Sequence, residues 1–258
     1  MPIIRDTESA RAGRQAVNVK GFTQSSDPAD SYYATMYMGA PPSAAPAEMR
    51  AANADRQAPQ AYLVEQPRRA TVPPHFHDTD QFQVFVAGAA SFGKHRVEPV
   101  TVHYAGGHTP YGPIVTAGEG THYFTLRKHW DSGGKPMPAS HDQLRAVPRC
   151  HRMSDPVDPS DLSAGQSLDL IPAEANGLGA RLFAIGGDAQ TVLDLDEPGA
   201  GQYLLVLGGE ATIGGTRVTT HACLFRAQDE PAFALTSGPK GARLLLMQFP
   251  AGSSAPET

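Results

Sequence analysis

The chain has 258 residues and a mass of 27.3 kDa; 40% of its residues are hydrophobic and 18% are charged. It contains 26 Gly and 23 Pro, a composition that favours many turns over long helices. No Gly-X-Y period is present, which excludes a collagen-like chain. A net charge of −5 and a pI near 6.0 argue against a general nucleic-acid-binding or anionic-membrane surface.

The sequence gives no sign of a membrane or export segment. No stretch of about 18 apolar residues occurs, so we expect no transmembrane helix. The opening residues, MPIIRDTESARAGR, lack the apolar core of a signal peptide, and we expect a cytoplasmic protein. Cys150 and Cys223 are the two cysteines, and they are too few and too far apart to define a disulfide framework or a thiolate zinc site.

The N-terminal half is predicted to be mostly β-strand. Runs rich in aromatic and β-branched residues predict strands over 31–39, 61–66, 68–75, 81–88, 90–104 with a turn inside it, and 121–130. A short helix is predicted over 46–57, because Pro46 suits a first helical turn. Residues 154–165 have the composition of a linker, so we place a domain boundary between residues 150 and 151.

The C-terminal half repeats this pattern. Strands are predicted over 181–187, 190–196, 202–209, 211–219, 222–227, 231–236 and 242–249. Residues 250–258 are expected to form a disordered tail. Many short strands separated by Gly and Pro, with little helix, predict an all-β barrel or sandwich fold.

An internal repeat supports two copies of one β unit. A shift of 121 residues places QFQVFVAGAASFGKHRV (81–97) on QYLLVLGGEATIGGTRV (202–218) without a gap. Gln81 then aligns with Gln202, Gly88 with Gly209, and YFTLR (123–127) with LLLMQ. Few aligned residues are identical, but turns and apolar positions coincide along this 121-residue shift. The agreement predicts two units of about 100 residues each.

The stretch VPPHFHDTDQFQVFVAG (72–88) carries the chemistry of interest. His75 and His77 are two residues apart, and on a strand such a pair points to one face. Two imidazoles on one face can converge on a single metal ion. The alternative interpretation is a pair of solvent-facing loop histidines after Pro73 and Pro74.

This stretch resembles the first motif of the cupin superfamily, in which His-any-His is followed by an acid and then a glycine. His75, His77 and Gly88 stand at the motif's positions, and Gln81 stands where the family usually has glutamate. Gln81 either binds the metal or serves the hydrogen bonding of its strand, since the repeat places a glutamine at the same point. Together with the repeat, the resemblance implies a bicupin, with two jelly-roll barrels in one chain.

A second cupin motif supplies one further histidine, and His108 in VHYAGGHTPYGPIV (102–115) is the nearest match, although the family's spacing is not reproduced. His122 and His103 are the alternatives. The resemblance therefore implies a divalent metal held by His75, His77, Gln81 and His108. Such a set suits Fe(II), which we favour, or Mn(II), Ni(II), Zn(II) or Cu(II).

The C-terminal unit is expected to lack this metal site. The repeat frame places Asp196 at the position of His75, Pro198 at that of His77 and Asp229 at that of His108. No histidine pair occurs in this half, so it is expected to serve as scaffold or as a dimer surface.

Three further side chains are candidates for the site. The hydroxyls of Tyr104 and Tyr111 surround the second-motif turn and could move a proton or orient a carbonyl group. Arg127 could bind an anionic substrate, but an arginine at the end of a strand is expected to be solvated.

These features predict a metal-dependent enzyme acting on a small organic molecule. A non-haem iron dioxygenase ranks first, since a vicinal-carbonyl or phenolic substrate could chelate an ion with open positions. A metal-dependent isomerase or lyase is the second hypothesis. The third is a non-catalytic bicupin that binds a small ligand, which the missing glutamate favours. We expect no nucleic-acid or membrane partner, and a homodimer is possible.

Overall fold

A computed structural model describes residues 2–17, 31–41, 57–195 and 199–252. These residues form two compact units: residues 13–156, here the N-terminal barrel, and residues 2–12 with 157–252, here the C-terminal barrel. Apart from its last residue, the helix predicted over 46–57 lies outside the described residues, as does most of the predicted tail. No helix in the described ranges is long and apolar enough to cross a membrane.

The N-terminal barrel consists of eleven described strands. They are β2 (Arg14–Val17), β3 (Tyr32–Met38), β4 (Gln60–Gln66), β5 (Thr71–Val72), β6 (His75–Phe76), β7 (Gln81–Phe92), β8 (His95–Val97), β9 (Thr101–Ala105), β10 (Ile114–Arg127), β11 (Lys135–Pro136) and β12 (His151–Met153). The main sheet runs β12-β9-β7-β10-β4-β3-β2, with β5 beside β10 and β8 beside β7; β6 pairs with β11. The strand predicted over 68–75 is interrupted, and β5 and β6 are its two short pieces.

The C-terminal barrel has β1 (Ile3–Arg5), helix α1 (Thr7–Arg11), β13 (Ser167–Ile171), β14 (Gly179–Ile185), β15 (Gln190–Leu193), β16 (Gln202–Ile213), β17 (Thr216–Thr219), β18 (Cys223–Arg226) and β19 (Phe233–Gln248). Its sheet runs β1-β18-β16-β19-β14-β13, with β15 beside β19 and β17 beside β16. The first strand joins this unit because it pairs with β18. The main part of the unit begins at Val157, close to the predicted boundary.

Both units are jelly-roll barrels, and the 121-residue repeat is visible in their longest strands. β7 and β16 each have twelve residues and the same sequence of buried and exposed positions. Gly88 and Gly209 occupy equivalent points with φ of +70° and +72°. A Cβ at either position would overlap the carbonyl oxygen of Gly120 or of Gly241, which are themselves equivalent in the repeat. Glycine is therefore required there for both its conformation and its size.

The two interiors differ in composition although they share one frame. Phe85, Phe92 and Tyr123 lie in the core of the N-terminal barrel, where the repeat places Val206, Ile213 and Leu244 in the other unit. At these three positions the N-terminal barrel has rings where the C-terminal barrel has aliphatic side chains. Rings with polar atoms can bind a ligand or an ion by hydrogen bonds, which aliphatic side chains cannot.

We expect Gly88→Ala and Gly209→Ala each to lower the free energy of unfolding of its own barrel by about 3 kcal/mol or more, because left-handed strain adds to a backbone overlap. Gly215→Ala is the matched control. Gly215 has φ +80° but no atom within 4 Å of an added Cβ, so it should lose only about 1 kcal/mol. Denaturant unfolding followed by circular dichroism measures all three. Equal losses at Gly88 and Gly215 would contradict the close approach.

Candidate functional site in the N-terminal barrel

His75 and His77 lie together, as their two-residue spacing predicts. Their ring centroids are 5.2 Å apart in an edge-to-face arrangement, and their exposed fractions are 5% and 7%. Backbone bonds between His75 and Tyr111 run in both directions, at 3.1 and 3.0 Å, and His108 N donates to His77 O at 2.7 Å. The segment carrying the pair is therefore held along residues 108–111, and the two rings are not solvent-facing loop side chains.

His108 lies on the other side of this segment. The residue between the two histidines, Phe76, points away from them, and the His108 ring packs against it at a centroid distance of 5.4 Å. His108 Nε2 is 3.7 Å from Asp78 Oδ1, and the His108 backbone has φ +56°. The structure therefore does not bring His108 to the histidine pair.

Of the two predicted tyrosines, one reaches the pair. The Tyr111 ring lies 4.5 Å from His75 and is stacked 6.3 Å from His77, measured between centroids. Tyr104 is 1% exposed and packs against Phe82 at 5.0 Å. The structure thus joins Tyr111, but not Tyr104, to the site.

Gln81 and Arg127 stand opposite each other on β7 and β10. The expectation of a solvated Arg127 is wrong, since its exposed fraction is 0%. Its Nε and Nη2 donate to Gln81 Oε1 at 3.1 and 2.8 Å, and its Nη1 donates to Gln60 Oε1 at 2.6 Å and Tyr62 Oη at 3.0 Å. Gln81 Nε2 donates to Tyr111 Oη. The oxygen with which Gln81 would bind a metal therefore already accepts two hydrogen bonds.

Asp131 supplies the negative charge of the cluster. Its Oδ1 is 2.7 Å from His77 Nδ1, and its carboxylate also accepts from the backbone N–H groups of Asp78 and Gly133. Burial alone would raise the pKa of Asp131, but the His77 ring and the Arg127 guanidinium hold it well below its usual range. An ionised carboxylate can only accept, so His77 Nδ1 carries the proton. Arg127 Nη2 is nearly equidistant from His77 Nδ1 and Nε2, at 3.1 and 3.2 Å, so the guanidinium lies against the face of the imidazole ring.

Both imidazoles of the pair are neutral near pH 7. Burial, followed by the neighbouring His77, lowers the pKa of His75 to about 3. Burial, followed by the charge of Arg127, also lowers the pKa of His77. His75 Nδ1 is 2.8 Å from Pro73 O, so this nitrogen donates and Nε2 keeps its lone pair. Burial raises the pKa of the Tyr111 hydroxyl, which therefore keeps its proton.

His103 is the alternative histidine that enters the same interior. It is fully buried, its Nδ1 is 2.8 Å from Gln83 Oε1, and its ring lies 5.1 Å from Tyr111. Among the residues that the structure describes, none forms a hydrogen bond with His103 Nε2. Tyr111 packs against both His103 and His75. His122 is half-buried on β10 beside a core residue, so it points to the outer face of the strand.

No protein-family model matches the sequence, and no curated protein matches it. Solved structures do match its fold. A candidate dioxygenase from Nostoc punctiforme PCC 73102 has a TM-score of 0.64 and 13% identity, over 98% of this chain and 84% of its own. The bacterial pirin YhhW from Escherichia coli, in complex with nickel(II), has a TM-score of 0.58 and 14% identity, over 97% and 100%. An 11S globulin from Wrightia tinctoria with an auxin binding site has 0.56 and 9%, over 98% and 84%.

These neighbours are cupins, and each match spans nearly all of the present chain, across both barrels. The protein has the bicupin fold. At 9–14% identity the similarity is one of fold, and a bicupin fold names no reaction. What this bicupin does must be argued from its own side chains.

The predicted ligand set of this bicupin does not fit a divalent metal. In the described ranges, no three His, Cys, Asp or Glu side chains are grouped so that they could hold an ion. Gln81 Oε1 accepts from Arg127, and His108 lies on the far side of Phe76. A divalent ion placed between His77 and Gln81 would also be repelled by the positive charge of Arg127. A change of rotamer at the histidines would not remove this repulsion.

The C-terminal barrel of the bicupin can be compared only in part. Asp196 and Pro198, predicted to replace the histidine pair, lie outside the described residues, and Asp229 is exposed. Gln202 stands at the position of Gln81, at the start of β16. It too accepts a hydrogen bond from a buried arginine, Arg226 Nε, at 2.9 Å.

Sequence reasoning missed Asp131 and misjudged Arg127. Asp131 lies in a segment whose composition indicates a loop, so nothing local marks it as buried. For Arg127 a signal existed, because the repeat aligns it with Gln248. Two long polar residues at the same point of an otherwise apolar strand indicate a polar position inside both barrels.

We expect acid to destabilise this bicupin partly through His75. The unfolded imidazole titrates near pH 6.5, whereas the native pKa is about 3, so stability is fully present above about pH 6.5 and is lost as the pH falls towards 3. Between about pH 6 and 4 this one group should lower the free energy of unfolding by about 1.4 kcal/mol per pH unit. His75→Gln should reduce the slope by that amount in denaturant unfolding across this range. An unchanged slope would show that His75 titrates alike in both states.

Proposed function

We propose that this protein is a metal-independent bicupin that binds a small, neutral aromatic molecule, a phenol or an aryl carbonyl compound, in its N-terminal barrel. The observation that carries the proposal is the contact of Arg127 with Gln81 Oε1 and His77. The guanidinium of Arg127 places a permanent positive charge at the centre of the cluster, where a metal ion would have to bind. The third sequence hypothesis, a small-ligand-binding bicupin, is therefore preferred.

The charge of the cluster supports a neutral ligand. Arg127 contributes one positive charge and Asp131 one negative charge, while His75, His77 and Tyr111 are neutral at pH 7. The sum is zero. A carboxylate ligand would lose its hydration and find a guanidinium whose charge is already balanced, so its burial would cost more than that of an uncharged molecule.

The ring arrangement supports an aromatic ligand. His75, His77 and Tyr111 contact one another edge-to-face or stacked, and Phe92 stacks on Tyr111 at 5.6 Å. His75, His77 and Tyr111 keep 5–7% exposure, whereas Arg127 beside them keeps none. An entering molecule would meet ring faces and the hydroxyl of Tyr111. A phenol or a carbonyl group can form a hydrogen bond with that hydroxyl.

A metal-dependent, dioxygenase-like oxidoreductase is the second candidate. One observation favours it: His103 Nε2 is a buried, unpartnered nitrogen in the same interior as the neutral pair. A nickel(II)-bound pirin and a candidate dioxygenase share the fold of this protein, but at 13–14% identity the similarity shows the fold alone. Metal content decides between the two candidates. Stoichiometric metal in the purified wild type, lost in the double variant His75→Ala, His77→Ala, would establish the second.

We expect catechol to bind the wild-type protein at least about tenfold more tightly than benzoate, since a buried anion here gains no unbalanced positive charge. Isothermal titration calorimetry at pH 7 measures both. Tyr111→Phe removes the hydroxyl and His75→Phe removes both ring nitrogens, while each variant keeps a ring, so each should weaken catechol binding by about tenfold.

Tyr104→Phe is the matched control, because Tyr104 packs against Phe82 away from the pair. It should leave the catechol affinity unchanged. Tighter binding of benzoate than of catechol would overturn the neutral-ligand proposal. Catechol binding that is equal in wild type, His75→Phe and Tyr111→Phe would place the binding site elsewhere.

A further inference from the structure

The two barrels share one row of paired residues across four strands. In the N-terminal barrel the row consists of Gln60 on β4, Arg127 on β10, Gln81 on β7 and Ala105 on β9. In the C-terminal barrel the equivalent row consists of Gly179 on β14, Gln248 on β19, Gln202 on β16 and Arg226 on β18. The central glutamine is common to both rows, and each row contains one arginine.

The arginine has changed strands while keeping its partner. Arg127 reaches Gln81 from β10, and Arg226 reaches Gln202 from β18, on the opposite side of the glutamine. Arg226 Nη2 also donates to Asp194 Oδ1 at 2.6 Å. In both barrels, then, a buried guanidinium donates to the glutamine oxygen, and in the N-terminal barrel this glutamine stands at the position of the motif's metal-binding glutamate.

We propose that the guanidinium of Arg127 takes the place of a metal ion in the N-terminal barrel and makes this barrel unable to bind one. This inference rests on the metal independence proposed above and gives its cause, and it holds whichever molecule the barrel binds. The two cations exclude each other, because both need Gln81 Oε1 and because their like charges would repel each other beside His77.

The glutamine itself supports the substitution. Gln81 accepts from Arg127 and at the same time donates to Tyr111 Oη, while Gln202 accepts from Arg226 and donates to Gln248 Oε1 at 2.6 Å and to Asp194. A carboxylate at either point could accept but not donate. A metal ligand needs only the acceptor, so an amide suits a site built around a guanidinium.

The test uses Ni²⁺ as the probe, in isothermal titration calorimetry and native mass spectrometry of the full chain. Wild type should show no binding that depends on His75 and His77. Gln81→Glu alone should also show none, because the new carboxylate pairs with Arg127. The double variant Gln81→Glu, Arg127→Met should bind one Ni²⁺ at least about tenfold more tightly than wild type and gain thermal stability from it.

The matched control is the double variant Gln202→Glu, Arg226→Met, which makes the same exchange in the barrel without a histidine pair. It should bind no Ni²⁺ beyond wild type. Binding of one Ni²⁺ to wild type that is lost in His75→Ala, His77→Ala overturns the proposal, and so does a folded Gln81→Glu, Arg127→Met protein that binds none. If that variant fails to fold, the wild-type titration still decides. Catechol binding, measured without metal, tests the ligand proposal separately.

Discussion

The burial of one guanidinium is the constraint on which the rest of the N-terminal barrel depends. Arg127 is always charged and has lost all contact with solvent. Removing such a charge from water costs several kcal/mol unless hydrogen bonds and an opposite charge compensate. Gln81, Gln60 and Tyr62 accept its N–H groups, and Asp131 balances its charge through His77. The charge of Arg127 favours the ionised carboxylate of Asp131 and disfavours a second positive charge on the His77 imidazole.

The same requirement explains why two barrels with different interiors keep the same glutamine. The apolar cores of both barrels leave few polar atoms with which to solvate an arginine. An amide on the central strand of the row can accept from a guanidinium on either flanking strand, β10 in one barrel and β18 in the other. The two barrels therefore share the row and the glutamine, while the arginine stands on one neighbouring strand in the N-terminal barrel and on the opposite neighbouring strand in the C-terminal barrel.

The fold and the chemistry of this protein are separable for a physical reason. The jelly-roll frame is specified by turns, by glycines such as Gly88 and Gly209 at close backbone approaches, and by apolar alternation. The bicupin fold can thus be shared with proteins of 9–14% identity, while an amide in place of a carboxylate and a buried arginine change what its interior can hold.

The sequence alone determined what local periodicity encodes. It predicted the all-β class, the 121-residue repeat and the shared face of His75 and His77, because strand geometry and turn chemistry act over a few residues. The partners of that pair were decided only by the tertiary structure. Arg127 meets Gln81 and Asp131 meets His77 across 46 and 54 residues, while the nearby His108 turns to the opposite face. Sequence spacing says nothing of which strands become neighbours in a barrel, and a buried charge exists only where neighbouring strands supply its compensation.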